Sequence, residues 1–298
     1  MVNIGINIES SIGIGDKIQW TTIPESFYKY YGVKLIDAKK SWVFDHNPYV
    51  RRDVDELFNP KFRDLDGNET SFPCLYCLEE HWINPNEKST HDLTVNGDIV
   101  PVTIKHLWQH RNFEPVYSRA EWFNKILGIQ SWHNRHLDFP RSPRLYKFDD
   151  PKNVKPTQIS IHVGPSNNNS SQYIPDFVLK KIKERYTNYN IVQIGSKKDF
   201  DSPFEDKRGL DIWETVKTIA QSAIFIGVNS GPMNIANCYP HISKKLIMNR
   251  EDHWEKKLDR FQPLDHKTSE SFGWADLGWQ YYVTDENDVN SMYSYKRI

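Results

Sequence analysis

The chain has 298 residues, 38% hydrophobic and 26% charged, with a net charge of -1, which suits two globular domains of roughly 150 residues rather than one core. Near-neutrality excludes a global attraction to polyanions and leaves only a local one. No stretch approaches the ~18 apolar residues of a membrane span and no basic, apolar leader opens the chain, so the reading is a cytoplasmic protein.

Val2 to Ile8 alternates and is rich in Ile, predicting a first strand. A small-residue loop, Glu9 to Asp16, follows, and a helical pattern runs from about Lys17 to Tyr31, with Asp16 placed to cap it. Pro24 requires that helix to kink or to begin there. Val33 to Asp37 and Trp42 to Phe44 read as two short strands, and His46-Asn47-Pro48-Tyr49 as a turn.

From about Arg51 to Val100 the periodicity is poor, and Asn, Asp and Pro are frequent. Cys74 and Cys77 form a lone C-x-x-C with His81 and His91 downstream; one such pair is weak grounds for zinc, and the flanking apolar residues favour packing, so no metal is expected. Val102 to His110 fits a strand or a short helix, and Ser118 caps a helix to about Leu127. Residues 101–148 carry eight Lys or Arg, among them Arg111, Arg119 and Arg135, against three acids. That local basic, aromatic-rich stretch suits an anionic partner, although solvated charge over an aromatic core accounts for it as well.

Asp149 to Lys155 reads as the linker between residues 1–150 and 151–298. Beyond it the pattern becomes regular: strands at Gln158 to Val163 and Asn190 to Ile194, helices at Pro175 to Tyr186 and Ile212 to Gln221, then a strand at Ile224 to Gly227. Strands alternating with helices at this spacing predict a parallel sheet with right-handed crossovers. Loops rich in Gly, Ser and Asn follow three of the strands. The last, Val228-Asn229-Ser230-Gly231, opens a helix with Pro232 at its first position. Such a strand, turn and helix start presents unpaired N–H groups and a positive dipole end to a phosphate. No G-x-G-x-x-G or P-loop pattern appears there.

The sequence from Phe225 to Ala236, F-I-G-V-N-S-G-P-M-N-I-A, resembles the strand, D-S-G-x-x-H and helix of glycosyltransferase family 9, the ADP-heptose:lipopolysaccharide heptosyltransferases. Arg208-Gly209 through Gly227 resembles the helix and strand that precede that motif. His162-Val163-Gly164-Pro165-Ser166 is similar to the family's H-x-G-(S/A) loop. I-G-I-G-D at residues 12–16 with Thr22-Ile23-Pro24 resembles its opening, and Asn47-Pro48-Tyr49-Val50 a recurring turn.

The resemblance implies an α/β protein of GT-B type, two Rossmann-like domains facing each other across a cleft. The N-terminal one binds the acceptor and the C-terminal one a nucleotide sugar. It implies a metal-independent, inverting glycosyltransferase needing no cofactor beyond its donor, with Asp16, next to Gly15, as the base that deprotonates the acceptor hydroxyl. Ser230, Gly231, Pro232 and Met233 would meet the diphosphate with Ser166, Asn229 and Asn234, while Gly195, Ser196 and Lys197 border the nucleoside. Arg111, Arg119 and Arg135 would face a polyanionic acceptor, either a bacterial surface glycan or hydroxymethylated phage DNA. An epimerase acting on a nucleotide sugar and a non-catalytic binding homologue are the alternatives. Asn229 and Asn234 replace the family's Asp and His, and Gln172 replaces its phosphate-neutralising Lys, for which Lys197 or Lys198 would substitute. These departures point to a donor other than ADP-heptose.

Overall fold

The computed structural model describes residues 5–8, 13–37, 40–53, 62–63, 69–70, 74–77, 90–95, 98–103, 140, 142–164, 173–228, 230–249, 279–284 and 293–295. The chain forms two compact units, Met1–Lys147 with Glu270–Gly273, and Phe148–Ser269 with Trp274–Ile298. Arg111, Arg119, Arg135, Ser166 and Asn229 lie outside the described residues, as do the predicted helix after Ser118 and nearly all of the basic stretch.

In the first unit, strand β1 (Gly5–Ile8) is followed by helices α1 (Ile14–Gln19) and α2 (Thr22–Tyr31). The single predicted helix is thus two: it starts three residues earlier, breaks at Trp20-Thr21 and resumes so that Pro24 falls in the first turn of α2, where its missing N–H has no carbonyl to meet. Gly32, at φ 69°, ends α2. Strands β2 (Leu35–Ile36) and β3 (Val50–Arg51) follow, but Trp42–Phe44 is a 3-10 turn rather than a strand. Three residues with Val43 and Phe44 fully buried give no periodicity by which to tell the two apart.

Phe62–Arg63 (β4) pairs antiparallel with Glu69–Thr70 (β5), and Cys74–Cys77 (β6) returns to the main sheet. A hairpin of Thr90–Val95 (β7) and Asp98–Thr103 (β8) completes the set; of the element predicted over Val102 to His110, only Val102 and Thr103 lie among the described residues, at the end of β8. The main sheet is parallel throughout, in the order β3-β2-β1-β6. Its direction of winding reverses at β1, so α1 opens at a topological switch point.

The second unit begins with a 3-10 turn at Pro151–Asn153, inside the segment read as a linker, and enters β9 (Lys155–His162). Helix α3 (Asp176–Arg185), strand β10 (Asn190–Gln193) and strand β11 (Glu205–Asp206) follow. Next come helix α4 (Ile212–Ala220), strand β12 (Ser222–Gly227) and helix α5 (Gly231–Asn237). Strands β13 (Ser243–Asn249), β14 (Trp279–Thr284) and β15 (Tyr293–Tyr295) close the sheet. Its order is β11-β10-β9-β12-β13-β14-β15, parallel except for the last pair. Numbered within the unit, the six parallel strands run 3-2-1-4-5-6, the doubly wound order in which the sheet reverses between its first and fourth strands. Here that point lies between β9 and β12.

Strand β9 shows why. Ile159, Ile161 and Val163 are completely buried on one face, against Val178, Leu179 and Ile182 of α3. The alternate residues Gln158, Ser160 and His162 are buried on the other. Gln158 donates from Nε2 to the Thr218 carbonyl of α4 and to Ser222 Oγ, so that face is polar but tied to its covering helix.

One buried charge in the first unit carries a measurable consequence. Asp37, just past β2, is fully buried, and its carboxylate is 3.4 Å from Arg52 Nε, an ion pair without hydrogen-bond geometry. Arg52 also grips Asp45 and reaches the Ser41 carbonyl. Burial raises the Asp37 carboxyl to about 6 despite the opposing Arg52 charge. The folded state therefore binds a proton here between about pH 4 and 6 that the unfolded chain, with a carboxyl near 3.9, does not. This contribution to stability is full at low pH, declines as pH rises through that window and stays lost above it. Asp37→Asn should match the native chain near pH 4 and exceed it by up to about 3 kcal/mol at pH 7, measured by urea unfolding of both across pH 4 to 7. A stability difference that does not change with pH would refute the assignment.

Candidate functional site

Three loops leave the carboxyl ends of β10, β9 and β12, neighbours in the second sheet, with His162 opposite Gly227 and Gln193 opposite Ile161 in register. The strand ends from which the loops predicted after Val163, Ile194 and Gly227 depart are thus side by side.

His162 lies at the centre. Its ring is buried, and Nε2 stands 3.2 Å from Asp199 Oδ2, from the loop after β10; Nδ1 has no hydrogen-bond partner. Asp199 Oδ2 also accepts the backbone N–H of Ser196 at 2.8 Å. The imidazole fits because a glycine ends the structure on either side. At Gly195, φ 128°, a Cβ would sit 2.1 Å from Asp199 Oδ2 and 2.9 Å from His162 Cδ2. At Gly227 it would meet the Phe225 ring at 2.7 Å and His162 Cβ at 3.4 Å. Neither His162 nor Asp199 was singled out as a donor-site residue on sequence grounds. His162 appeared only within the H-x-G-(S/A) resemblance, and no local signal links it to a residue 37 positions away.

The rest of the β10 loop is cross-linked by Arg208. Its guanidinium donates to the carbonyls of Asp199 (2.7 Å) and Phe200 (3.2 Å) and to the carboxylates of Asp201 (2.6 Å) and Asp206 (2.9 and 3.2 Å). Those bonds hold the Asp206 carboxyl well below the usual range. Gly209 N–H returns to the Gly195 carbonyl at 2.8 Å, closing the loop. Ser196 and Lys197 are exposed on it, and Lys197 Nζ lies 3.2 Å from Asp206 Oδ2. An exposed pair of that kind is weak enough to be exchanged for another anion.

Helix α5 starts at Gly231, making Pro232 its second residue rather than the first, a position equally without an intrahelical acceptor. Ser230 is the N-cap residue but does not cap: its hydroxyl donates back to the Val228 carbonyl at 3.0 Å. The first-turn amides thus have no side-chain cap. Met233 is in the core, so the backbone is what it can offer, and Asn234 is buried with Nδ2 donating to the Ser230 carbonyl at 3.0 Å.

Asp16 is not the residue that precedes the helix. It lies inside α1, on its first turn with Gly15, and Gly13 accepts the first helical N–H, from Lys17, at 3.0 Å. It remains at the amino end of the helix that follows β1, where a carboxylate is favoured by the dipole. Cys74 and Cys77 fall on β6, extended chain rather than the turn a zinc knuckle requires. Among the described residues no group of three or more His, Cys, Asp or Glu lies close enough to hold a metal. Among them, too, no helix is long and apolar enough to cross a membrane.

No protein-family model matches the chain, and no curated protein sequence matches it. Solved structures do. The chain is similar to the iron-containing dodecameric glycosyltransferase TibC from enterotoxigenic E. coli H10407, at 15% identity and a TM-score of 0.53 over 83% of this chain and 58% of TibC. TibC in complex with ADP-D-beta-D-heptose gives 14% identity and a TM-score of 0.49, over 83% and 57%. A family 9 glycosyl transferase from Veillonella parvula DSM 2008 gives 10% and 0.46, over 92% and 93%. The chain thus spans less than two thirds of TibC's length.

Gly195→Ala should push Asp199 off His162 and release the Ser196 amide, costing about 2 to 4 kcal/mol from strain at positive φ and lost buried bonds. Denaturant unfolding of the variant measures it, and an unchanged midpoint would mean that the latch is not under constraint. What the chain shares with TibC, a glycosyltransferase, is the fold, a mixed α/β architecture with parallel sheets.

Proposed function

We propose that this chain is a glycosyltransferase of GT-B type, whose second unit holds a nucleoside-diphosphate sugar and whose first presents the acceptor hydroxyl. The observation that carries the reading is the reversal of strand order between β9 and β12, with the uncapped start of α5 opening at that same point. Ligands of open α/β sheets bind at such a crevice, outside the carboxyl ends of the strands, and amide groups there suit phosphate. The diphosphate is assigned to Ser230 and the amides of Gly231 and Met233, with Ser166 and Asn229 on the flanking loops. Gly195, Ser196 and Lys197 take the nucleoside side.

In this mechanism the acceptor oxygen attacks the anomeric carbon, the bond from that carbon to the diphosphate breaks, and the configuration inverts. Asp16 takes the acceptor's proton. Backbone amides bear the leaving group's charge, so the reaction runs without a metal. Asp16 is supported by its place at the switch point of the first sheet, in the first turn after β1. The basic stretch with Arg111, Arg119 and Arg135 is assigned to an anionic acceptor. The donor is a nucleotide sugar other than ADP-heptose, since Gln172, Asn229 and Asn234 stand where the resembled family keeps its charged groups.

A thermal-shift panel of nucleoside diphosphates and their sugars tests the donor. One of them at about a hundred times its Kd should add about 2.7 kcal/mol, several degrees in Tm, and chelator should not reduce the shift. If none raises the Tm, the reading fails. Asp16→Asn should lower kcat by about a hundredfold or more while leaving the donor's Kd unchanged, measured by sugar transfer and calorimetry; full turnover in the variant would remove Asp16 as the base.

A further inference from the structure

The β10 loop holds an exposed aromatic ring on a backbone that has almost no freedom. Phe200 is 40% exposed, yet its N–H donates to the Gly164 carbonyl at 3.2 Å. Its own carbonyl accepts from Gln193 Nε2 at 2.6 Å and from Arg208 at 3.2 Å. Ser202 in turn fixes Gln193, donating to Oε1 at 2.6 Å. The residue before it is Asp199, held by His162 and the Ser196 amide. Polar bonds from two strands and two loops therefore fix an apolar ring at the surface. Tyr173, which leads into α3, backs it with ring centroids 5.3 Å apart and a tilt of 51°. Ile174 N–H bonds the Val163 carbonyl at 2.8 Å, so this second ring is anchored to the carboxyl end of β9. Of the four exposed large hydrophobic residues among those described, Phe200 and Leu210 both fall between β10 and α4, and Gly209, beside Leu210, bonds back to Gly195.

An isolated exposed phenylalanine needs no explanation, but a rigid pair at the mouth of a binding crevice does. We infer that Phe200, with Tyr173 behind it, is the platform on which the base of the nucleoside diphosphate stacks. This rests on the donor site proposed above and names residues for the one part of the donor, the planar heterocycle, that the amides at α5 do not address. A flat ring on a fixed backbone, packed against Tyr173, has little side-chain entropy to lose on binding, and stacking tolerates any base. The choice among bases then falls to edge contacts elsewhere.

The test compares the binding of ADP, UDP and inorganic pyrophosphate to the native chain and to Phe200→Ala and Phe200→Trp by calorimetry. Pyrophosphate reads the phosphate site alone. Phe200→Ala should weaken the nucleotides by about tenfold or more and leave pyrophosphate unchanged, and Phe200→Trp should restore them. Equal loss of all three ligands, or none, overturns the platform. If the native chain binds pyrophosphate but neither nucleotide more tightly, the platform also falls while the phosphate site stands. If it binds none of the three, the donor site falls as well.

Discussion

The second unit depends on one strand having two different buried faces. Strand β9 is hydrogen-bonded along both edges, and its odd residues, Ile159, Ile161 and Val163, supply the apolar contact that holds α3. Its even residues, Gln158, Ser160 and His162, place polar groups where water cannot reach them. A buried polar group without a partner costs on the order of 1 to 3 kcal/mol, a cost Ser160 Oγ bears, and the partners of Gln158 and His162 constrain the chain far away in sequence. Gln158 ties down α4 and the start of β12, and His162 ties down the loop after β10.

His162 shows how this constraint becomes a site. The ring needs room on both sides, and a glycine stands on each, Gly227 at the end of β12 and Gly195 two residues past β10. It needs an acceptor, and Asp199 supplies one while also fixing Ser196. The loop that results is a shaped surface, with Asp199 turned inward and Ser196, Lys197 and Phe200 left facing out. The neighbouring crevice receives α5 with its first turn uncapped because Ser230 spends its hydroxyl on Val228. Both features are local consequences of packing, and the donor site proposed above is built on them.

Much of the second unit was legible in the sequence because its signals are local and repeated. The period-two alternation of β9, the amphipathic pattern of α3 and α4, and Gly231-Pro232 at the start of α5 each report one element, and the structure has them within a few residues. The strand β12 and the three strand ends lying side by side followed from the same pattern. What escaped was set by long-range partners: the His162 to Asp199 contact, the role of Arg208, and strands β13 to β15, which complete the sheet beyond the point where alternation with helices is clear. In the first unit, the break between α1 and α2 escaped because a tertiary contact supports it. Thr21 in the break bonds the Ile18 carbonyl and accepts the N–H of Arg144, more than a hundred residues away. Asp16 was misplaced by the same misreading of where that helix starts.

The connection from β10 to β11 has no crossover helix, and Arg208 stands in its place. The connections from β9 to β10, β11 to β12 and β12 to β13 each carry a helix with buried aliphatic side chains. On this flank the cohesion comes from a guanidinium shared among two main-chain oxygens and two acids, with β11 only two residues long. Aliphatic contacts tighten in strong electrolyte and slacken in the cold, whereas charge pairs near the surface do the opposite in salt. The two flanks of this sheet therefore answer ionic strength with contrary signs, and the loop after β10 sits on the side that concentrated salt loosens.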